Sequence, residues 1–446
     1  MCEAQAQIDR QFAIDVVKRL AAAGYQALWA GGCVRDLLMG NDPADYDVAT
    51  SATPAQVRRL FGNRHSLAVG ASFGVIVVLD EKRKGQQIEV ATFRTDATYS
   101  DGRRPDAVSF STPEEDAQRR DFTINGMFYD PLNEQVIDYV GGRADLEHKI
   151  IRAIGSADER IAEDKLRMLR AIRFAARFNF ELHDQTLAAV TRHASEIVAI
   201  SGERMAVEIQ KTLQTDSAVW ALTQLHQTGL MREVLPELAY KWEEHAQPAL
   251  ELLDSVLRIQ CSPPLSATPL ESALRWRVRL AALLYRCCLQ REPLAQAAKP
   301  TWLAAITSLQ SRLKLSNEDA QALQYILGAQ RVLDLADQGP WSRTQPWLVQ
   351  PNIESAMQLL AARSIVGDAS AGVVPFLLSR LQQPRQELNP PPLVDGSDLI
   401  RLGLKPGPRF AQLLSHIRNQ QLDNAISTRA AALEWLSRQD LSDAQT

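Results

Sequence analysis

The chain has 446 residues, 46% hydrophobic and 23% charged, with a formal net charge of −4 and a pI near 6.0. That length accommodates two to four domains, and no apolar run nears the roughly 20 residues of a membrane span, so no membrane association is expected. A mildly acidic balance excludes nucleic-acid binding through the overall field and leaves it to a local basic surface.

The first residues, MCEAQAQIDRQF, carry neither the basic nor the apolar region of a secretory leader. The five cysteines, Cys2, Cys33, Cys261, Cys287 and Cys288, are scattered and form no C-x-x-C pair. They argue against a disulfide framework or zinc site and point to free thiols in a reducing cytoplasm. Ile8, Phe12, Ile14, Val17 and Leu20 recur at helical spacing, so a packed helix over residues 4–23 precedes a short apolar strand at 26–30. Next comes the stretch on which the rest depends, GGCVRDLLMGNDPADYDVAT, from Gly31 to Thr50. Gly31-Gly32 is either an ordinary tight turn or a place where backbone N–H groups approach a triphosphate. Asp45 and Asp47, two apart on an expected strand, project to one face. A D-x-D pair also occurs as solvated turn residues, but aligned carboxylates call for a cation, and hard oxygen donors suit Mg²⁺. A metal held this way serves phosphoryl or nucleotidyl transfer.

Thr53-Pro54 predicts a helix start over 55–61, and residues 74–79 and 87–93 predict two strands around a charged turn at 82–86. Glu89 is either an outward-facing strand residue or a third carboxylate beside the pair. Residues 95–110, TDATYSDGRRPDAVSF, read as a loop: a solvated linker, or a segment placing Arg103 and Arg104 near phosphate. In RRDFTINGMFYD, 119–130, a helix start is expected. Arg120 there suits triphosphate oxygens, while Asp121 and Asn125 suit a ribose; a plain capped helix terminus fits the local pattern equally. A last short strand and the exit from the sheet follow at 136–146. Beyond it the chain reads as helices. Residues 161–178, IAEDKLRMLRAIRFAARF, are read as one helix with Asp164 and Arg167 on a common face, which on pattern alone is an ion-pair ladder. Ser201 is an expected N-cap with Glu203 and Arg204 in the first turn. Further helices are expected at 218–235, 276–288, 302–313, 320–335 and 356–360, with Pro-rich seams at 263–269 and 388–392. The last block, VDGSDLIRLGLKPGPRFAQLLSHI, offers Lys405, Arg409 and Arg418 to phosphate.

The string G-G-x-V-R-D-x-L-x-G followed by D-x-D-x-x-T resembles the first motif of the class II tRNA nucleotidyltransferase and bacterial poly(A) polymerase family, a polymerase-β-like branch. E-V-A-T-F-R at 89–94, the 119–130 stretch, Asp130 with Asp138, E-D-x-x-R at 163–167 and S-G-E-R at 201–204 resemble its other conserved stretches. Met39, Lys165 and Gly126 stand where relatives often have Leu, Pro and Ala; the glycine is expected to cost only helix propensity. The resemblance spans roughly residues 25–240. It implies an α+β fold: a nucleotidyltransferase head with a small mixed sheet of about five strands, then an all-helical neck, body and tail. The implied divisions are head 1–142, neck 143–214, body 215–300 and RNA-binding tail 301–446. It implies catalytic roles for Asp45, Asp47 and Glu89, with Mg²⁺ on the two aspartates. Nucleotide binding falls to Gly31, Gly32, Arg35, Arg120, Asp121, Asn125, Asp164, Arg167 and Arg170, and RNA binding to Lys405 and Arg409. The implied activity is template-independent addition of CMP and AMP, from CTP and ATP, to the tRNA 3′ end, with no obligate protein partner. An enzyme adding only A or only CC, a poly(A) polymerase, and a non-catalytic RNA-binding relative are the alternatives. The acidic LSRQDLSDAQT weighs against the polymerase, and the retained carboxylates weigh against the last. Some relatives carry a phosphohydrolase His-Asp pair after an apolar run; here Leu283-Leu284 leads to Tyr285-Arg286, and the one His-Asp dipeptide is His183-Asp184, so no hydrolase activity is expected.

Overall fold

The computed structural model describes residues 3–70, 74–81, 83, 85–96, 108–240, 242–261, 271–288 and 301–439. The chain forms two compact units, Met1–Pro236 and Glu237–Thr446. The first begins with α1 (Glu3–Ala22), β1 (Ala27–Ala30), α2 (Gly32–Leu38), β2 (Asp47–Thr50) and α3 (Pro54–Phe61). Next come β3 (Ser66–Gly70), β4 (Val75–Leu79), β5 (Gln87–Thr92), β6 (Arg94–Asp96), β7 (Val108–Phe110) and α4 (Pro113–Gln118). A 3₁₀ turn, Thr123–Asn125, then leads to β8 (Phe128–Asp130), β9 (Gln135–Ile137) and α5 (Gly142–Glu147).

Seven of these strands make one sheet, ordered β3-β4-β5-β2-β1-β8-β9. Only β2 and β5 run parallel; the other neighbours are antiparallel. A parallel pair needs a crossover, and here α3 and the β3–β4 hairpin supply it. Side chains alternate across the strands. Trp29, Val48, Ile76, Val78, Ile88 and Val90 pack with Val16, Val17 and Leu20 of α1 and Val57 of α3. Leu28, Ala30 and Ala49 meet Phe93, Ala117 and Phe128 on the opposite face. Asp47 and Glu89, one residue out of phase with Val48, Ile88 and Val90, belong to that second face; β2 starts at Asp47, so Asp45, expected on the same strand, lies in the bend before it. The expected strands at 26–30, 74–79 and 87–93 are present. The sheet is wider than expected because β3 and β8 are short and carry no β-branched run.

Three other expectations fail locally. The start of 119–130 is not an α-helix but the 3₁₀ turn, and Gly126 follows it with no helix propensity at stake. A Cβ there would lie 2.7 Å from Val140 Cγ2 and 3.0 Å from Ile154 Cδ1, so an alanine fits only if those side chains shift. The ends of the expected loop 95–110 pair as the two-stranded β6–β7 ribbon, Asp96 opposite Val108; residues 97–107, with Arg103 and Arg104, lie outside the described residues. After β10 (Ile150–Ile151), the single helix expected over 161–178 is two, α6 (Ala157–Glu163) and α7 (Arg167–Phe178). Then follow β11 (Glu181–Leu182), α8 (Asp184–His193), α9 (Gly202–Leu213), α10 (Ala218–Gln227) and α11 (Leu230–Val234). Gly229, at φ 84°, divides α10 from α11 where one helix was expected.

The described residues of the second unit form helices and no strand, with helices as expected near 276–288, 302–313, 320–335 and 356–360. One core gathers Ala329, Leu333, Met357, Leu360 and Leu377, another Leu399, Ile417 and Leu436. The 263–269 seam lies outside the described residues, while 389–395 is non-helical as its prolines predict. Among the described residues no helix is long and apolar enough to cross a membrane.

Candidate active site

A cleft of about 520 Å³ in the first unit is lined by Gly31, Gly32, Arg35, Asp45, Asp47, Arg120, Asp121, Asn125, Asp164, Arg167 and Arg170. Residues 139 positions apart in sequence, from Gly31 to Arg170, thus meet at one place. Glu89 is brought alongside: the β2–β5 register sets it opposite Asp47. Loss of hydration in the cleft, then the like charges of Asp45 and Glu89, push the Asp47 carboxyl up to about 6 against the pull of Arg120. Beneath it Cys33 is buried, its Sγ 3.3 Å from the Ala30 carbonyl and 4.0 Å from that of Asp47. Among the described residues no group of three or more His, Cys, Asp or Glu side chains is arranged to hold a metal ion alone.

Gly31 sits at φ 75°, in the left-handed region, and a Cβ on it would lie 3.0 Å from Arg120 Nη1. The turn is therefore a glycine position on two counts, and it exposes backbone to the cleft. Arg120 donates to Asp116 Oδ2 (2.9 Å) and Asn125 O (3.4 Å) and lies over the Phe128 ring. Asp116 also receives Arg119. Despite its burial, the two guanidiniums, Arg120 foremost, hold the Asp116 carboxyl below the usual range. Sequence reasoning missed Asp116; its signal is the i+3 and i+4 spacing to Arg119 and Arg120.

A hydrogen-bonded chain crosses the cleft floor. Arg35, only 4% exposed, donates to Asp36 and, at 2.6 Å, to Asn125 Oδ1. Asn125 Nδ2 donates to Asp121 Oδ1 (3.1 Å), and Arg170 donates to Asp121 Oδ2 through Nε (3.0 Å) and Nη2 (2.5 Å). Burial opposes ionisation of Asp121, but Arg170 and Asn125 prevail and bring its carboxyl down to about 2. Arg35, expected to bind nucleotide, lines the cleft and through its bonds to Asp36 and Asn125 sets the position of Asn125.

Asp164 and Arg167 do not share a helical face as expected. Asp164, at φ −143° and ψ 104°, ends α6 in extended conformation. Its Oδ1 accepts from Leu166 N and its Oδ2 from Arg204 Nη2 at 2.8 Å. Arg167 opens α7, donating to Glu163 Oε2 (2.6 Å), Arg160 O and Arg119 O. The two side chains are thus held by different partners and do not pair with each other. Arg204 was the residue missed. Its place in the first turn of α9 was legible, its partner across the helix break was not. Ser201 holds the N-cap position without a side-chain hydrogen bond. In the second unit Lys405 is exposed ahead of the helix Pro408–Leu422, and Arg409 lies in that helix's first turn. Arg418 is spent within the unit, donating to Pro390 O and Asn389 Oδ1.

Two family models match the chain: the poly A polymerase head domain over residues 27–152, and the probable RNA and SrmB-binding site of polymerase A over 179–241. A CCA-adding enzyme of Levilactobacillus brevis is 33% identical over 95% of this chain and 96% of its own length. That of Geobacillus kaustophilus is 43% identical over 51% of this chain, which here spans about half, 55%, of the relative's length. The crystal structure of the Bacillus stearothermophilus CCA-adding enzyme in complex with CTP superimposes with a TM-score of 0.67 at 30% identity, covering 96% and 97% of the two chains. A Thermotoga maritima CCA-adding enzyme complexed with tRNA shares the fold at a TM-score of 0.63 and 20% identity.

Proposed function

The chain belongs to the CCA-adding enzyme family, and on that premise we propose that it adds CMP and AMP, from CTP and ATP, to the 3′ end of tRNA. The reaction builds or repairs the terminal CCA without a nucleic-acid template, releases pyrophosphate and takes place in the cytoplasm. The observation that carries this reading is the meeting, in one cleft, of Asp45 and Asp47 with the separately anchored Asp164 and Arg167.

Asp45 and Asp47 would hold a divalent cation, Mg²⁺ by the hardness of their oxygens. They fit one: crowded carboxylates opposed by Arg120 leave Asp47 reluctant to ionise, and a cation relieves that. When bound, it lowers the pKa of the attacking hydroxyl and offsets triphosphate charge. Glu89, in register with Asp47, adds to the negative field. The Gly31-Gly32 backbone and Arg120 orient the triphosphate, and Asp121 and Asn125 accept and donate at the ribose. Asp164, fixed by Arg204, accepts from the exocyclic amine of cytosine or adenine; Arg167, fixed by Glu163, donates to ring nitrogen or carbonyl. Where cytosine and adenine carry that amine, uracil and guanine carry a carbonyl oxygen, which offers Asp164 no donor. The head is residues 1–142, the neck 143–214, the body 215–300 and the tail 301–446, where Lys405 and Arg409 meet tRNA phosphate.

The test uses purified protein, tRNA transcripts ending before C, CC or CCA, and single nucleoside triphosphates. CMP is expected on the first two positions, one AMP after them, and nothing on a finished CCA. Repeated AMP addition, or incorporation surviving in both Asp45→Ala and Asp47→Ala, overturns the proposal.

A further inference from the structure

Helices α7 and α9 pack against each other, and their charges alternate across the seam. Arg204 reaches Asp164 at 2.8 Å. One turn on, Glu208 is buried between Arg173 (2.5 Å) and Arg170 (3.7 Å). The next rung breaks the pattern. On α9 the residue in phase with Arg204 and Glu208 is Lys211; on α7 the residue in phase with Arg167, Arg170 and Phe174 is Arg177. Both rungs are cationic, both side chains are exposed, and both line the cleft that holds Asp45 and Asp47. Neither makes a hydrogen bond or an ion pair among the described residues; Arg177 only lies over the Phe178 ring. The charge of Arg177 is felt nearby: burial first, and Arg177 among the further causes, depresses the guanidinium pKa of Arg35 and of Arg173. Unneutralised like charges on adjacent helices cost stability, and stability alone offers no reason for a second cation at this rung.

We propose that Arg177 and Lys211 form a phosphate-binding site on the α7 and α9 wall of the cleft, used during transfer and separate from the Arg120 and Gly31-Gly32 group. The site rests on the nucleotidyl-transfer reading above. Phosphate reaches it either on the incoming triphosphate or on the backbone of the RNA 3′ end. Guanidinium and ammonium groups free of carboxylates, lining one cleft and open to solvent, suit such an oxygen cluster.

Steady-state kinetics on full-length protein separate the sources. In Arg177→Ala, Lys211→Ala and Lys211→Glu, roughly a tenfold rise in one KM is expected. A rise in the KM for CTP and ATP assigns the triphosphate; a rise in the KM for tRNA, with a salt slope shallower by about 0.7 per lost contact, assigns the RNA backbone. Arg177→Lys should recover most of the loss. Lys211→Glu is the discriminating variant. It completes the alternation with Arg177, so its melting temperature should hold or rise while its KM worsens most; a purely structural lysine predicts the reverse. Both KM values within twofold of wild type in all three variants overturn the site, whatever kcat does. A wild-type chain that incorporates neither CMP nor AMP overturns the underlying function instead.

Discussion

Asp121 accepts two hydrogen bonds from Arg170 and one from Asn125, and this small network ties α2, the 3₁₀ turn and α7 together. Its side chain is 12% exposed, so the interaction is weakly screened. A carboxyl brought from 3.8 to about 2 contributes roughly 2 kcal/mol at neutral pH. Because the folded-state pKa lies below the unfolded one, that stability is present above pH 3.8 and is lost as pH falls through about 2. Asp121→Asn should therefore lower the urea midpoint at pH 7, with the difference from wild type shrinking below about pH 4; a constant difference would remove the ionic origin. At this scale the sequence was informative about identity and less so about engagement. Asp45 and Asp47 were singled out by residue type and spacing, Asp121 as one of two equal readings, and Arg170 only through the family resemblance. That Arg35 spends its donors on Asp36 and Asn125, and that Asp116 holds Arg119 and Arg120, are tertiary facts that no short window contains.

Among the elements, the break between α6 and α7 is the most consequential departure from the periodic pattern. Leu166, Leu169, Ile172 and Phe174 keep helical spacing through it, so period alone predicts a continuous helix. What ends α6 is Asp164 turning its side chain onto Leu166 N, the local hydrogen bonding that makes aspartate a cap rather than an interior residue. The break frees Asp164 to be gripped from α9. Arg204→Ala should leave Asp164 in place in sequence but not in orientation. CTP and ATP use on a tRNA lacking its CCA end should fall by roughly tenfold, while UTP and GTP use stays level or rises. Unchanged preference among the four nucleotides would reduce Arg204 to a helix tie. The parallel β2–β5 pairing was likewise beyond the sequence, since strand patterns do not reveal which strand lies beside which. That pairing places Glu89 at Asp47.

For the whole molecule, the proposed function assigns the chemistry to the first unit and the tRNA phosphate contacts to the second, which net charge could not show. A chain of net charge −4 binds polyanions only where cations are gathered. Lys405 and Arg409 lie in the second unit, away in sequence from the cleft residues. Removing both charges, Lys405→Ala with Arg409→Ala, should raise the KM for tRNA several-fold and flatten its salt slope by about 0.7 to 0.9 per phosphate contact, with the KM for CTP unmoved. A parallel rise in both KM values would mean damage to folding rather than loss of a tRNA contact.

The sulfur under the catalytic strand gives the head domain a clock. Burial pushes the Cys33 thiol up to about 12, so at pH 8 only about one molecule in ten thousand carries the reactive thiolate. The same side chain is buried on α2 against the carbonyls of Ala30 and Asp47, so an alkylating reagent reaches it only when the structure opens locally. The alkylation of Cys33 thus reports how often the ground beneath Asp45 and Asp47 opens, through an atom the protein already contains.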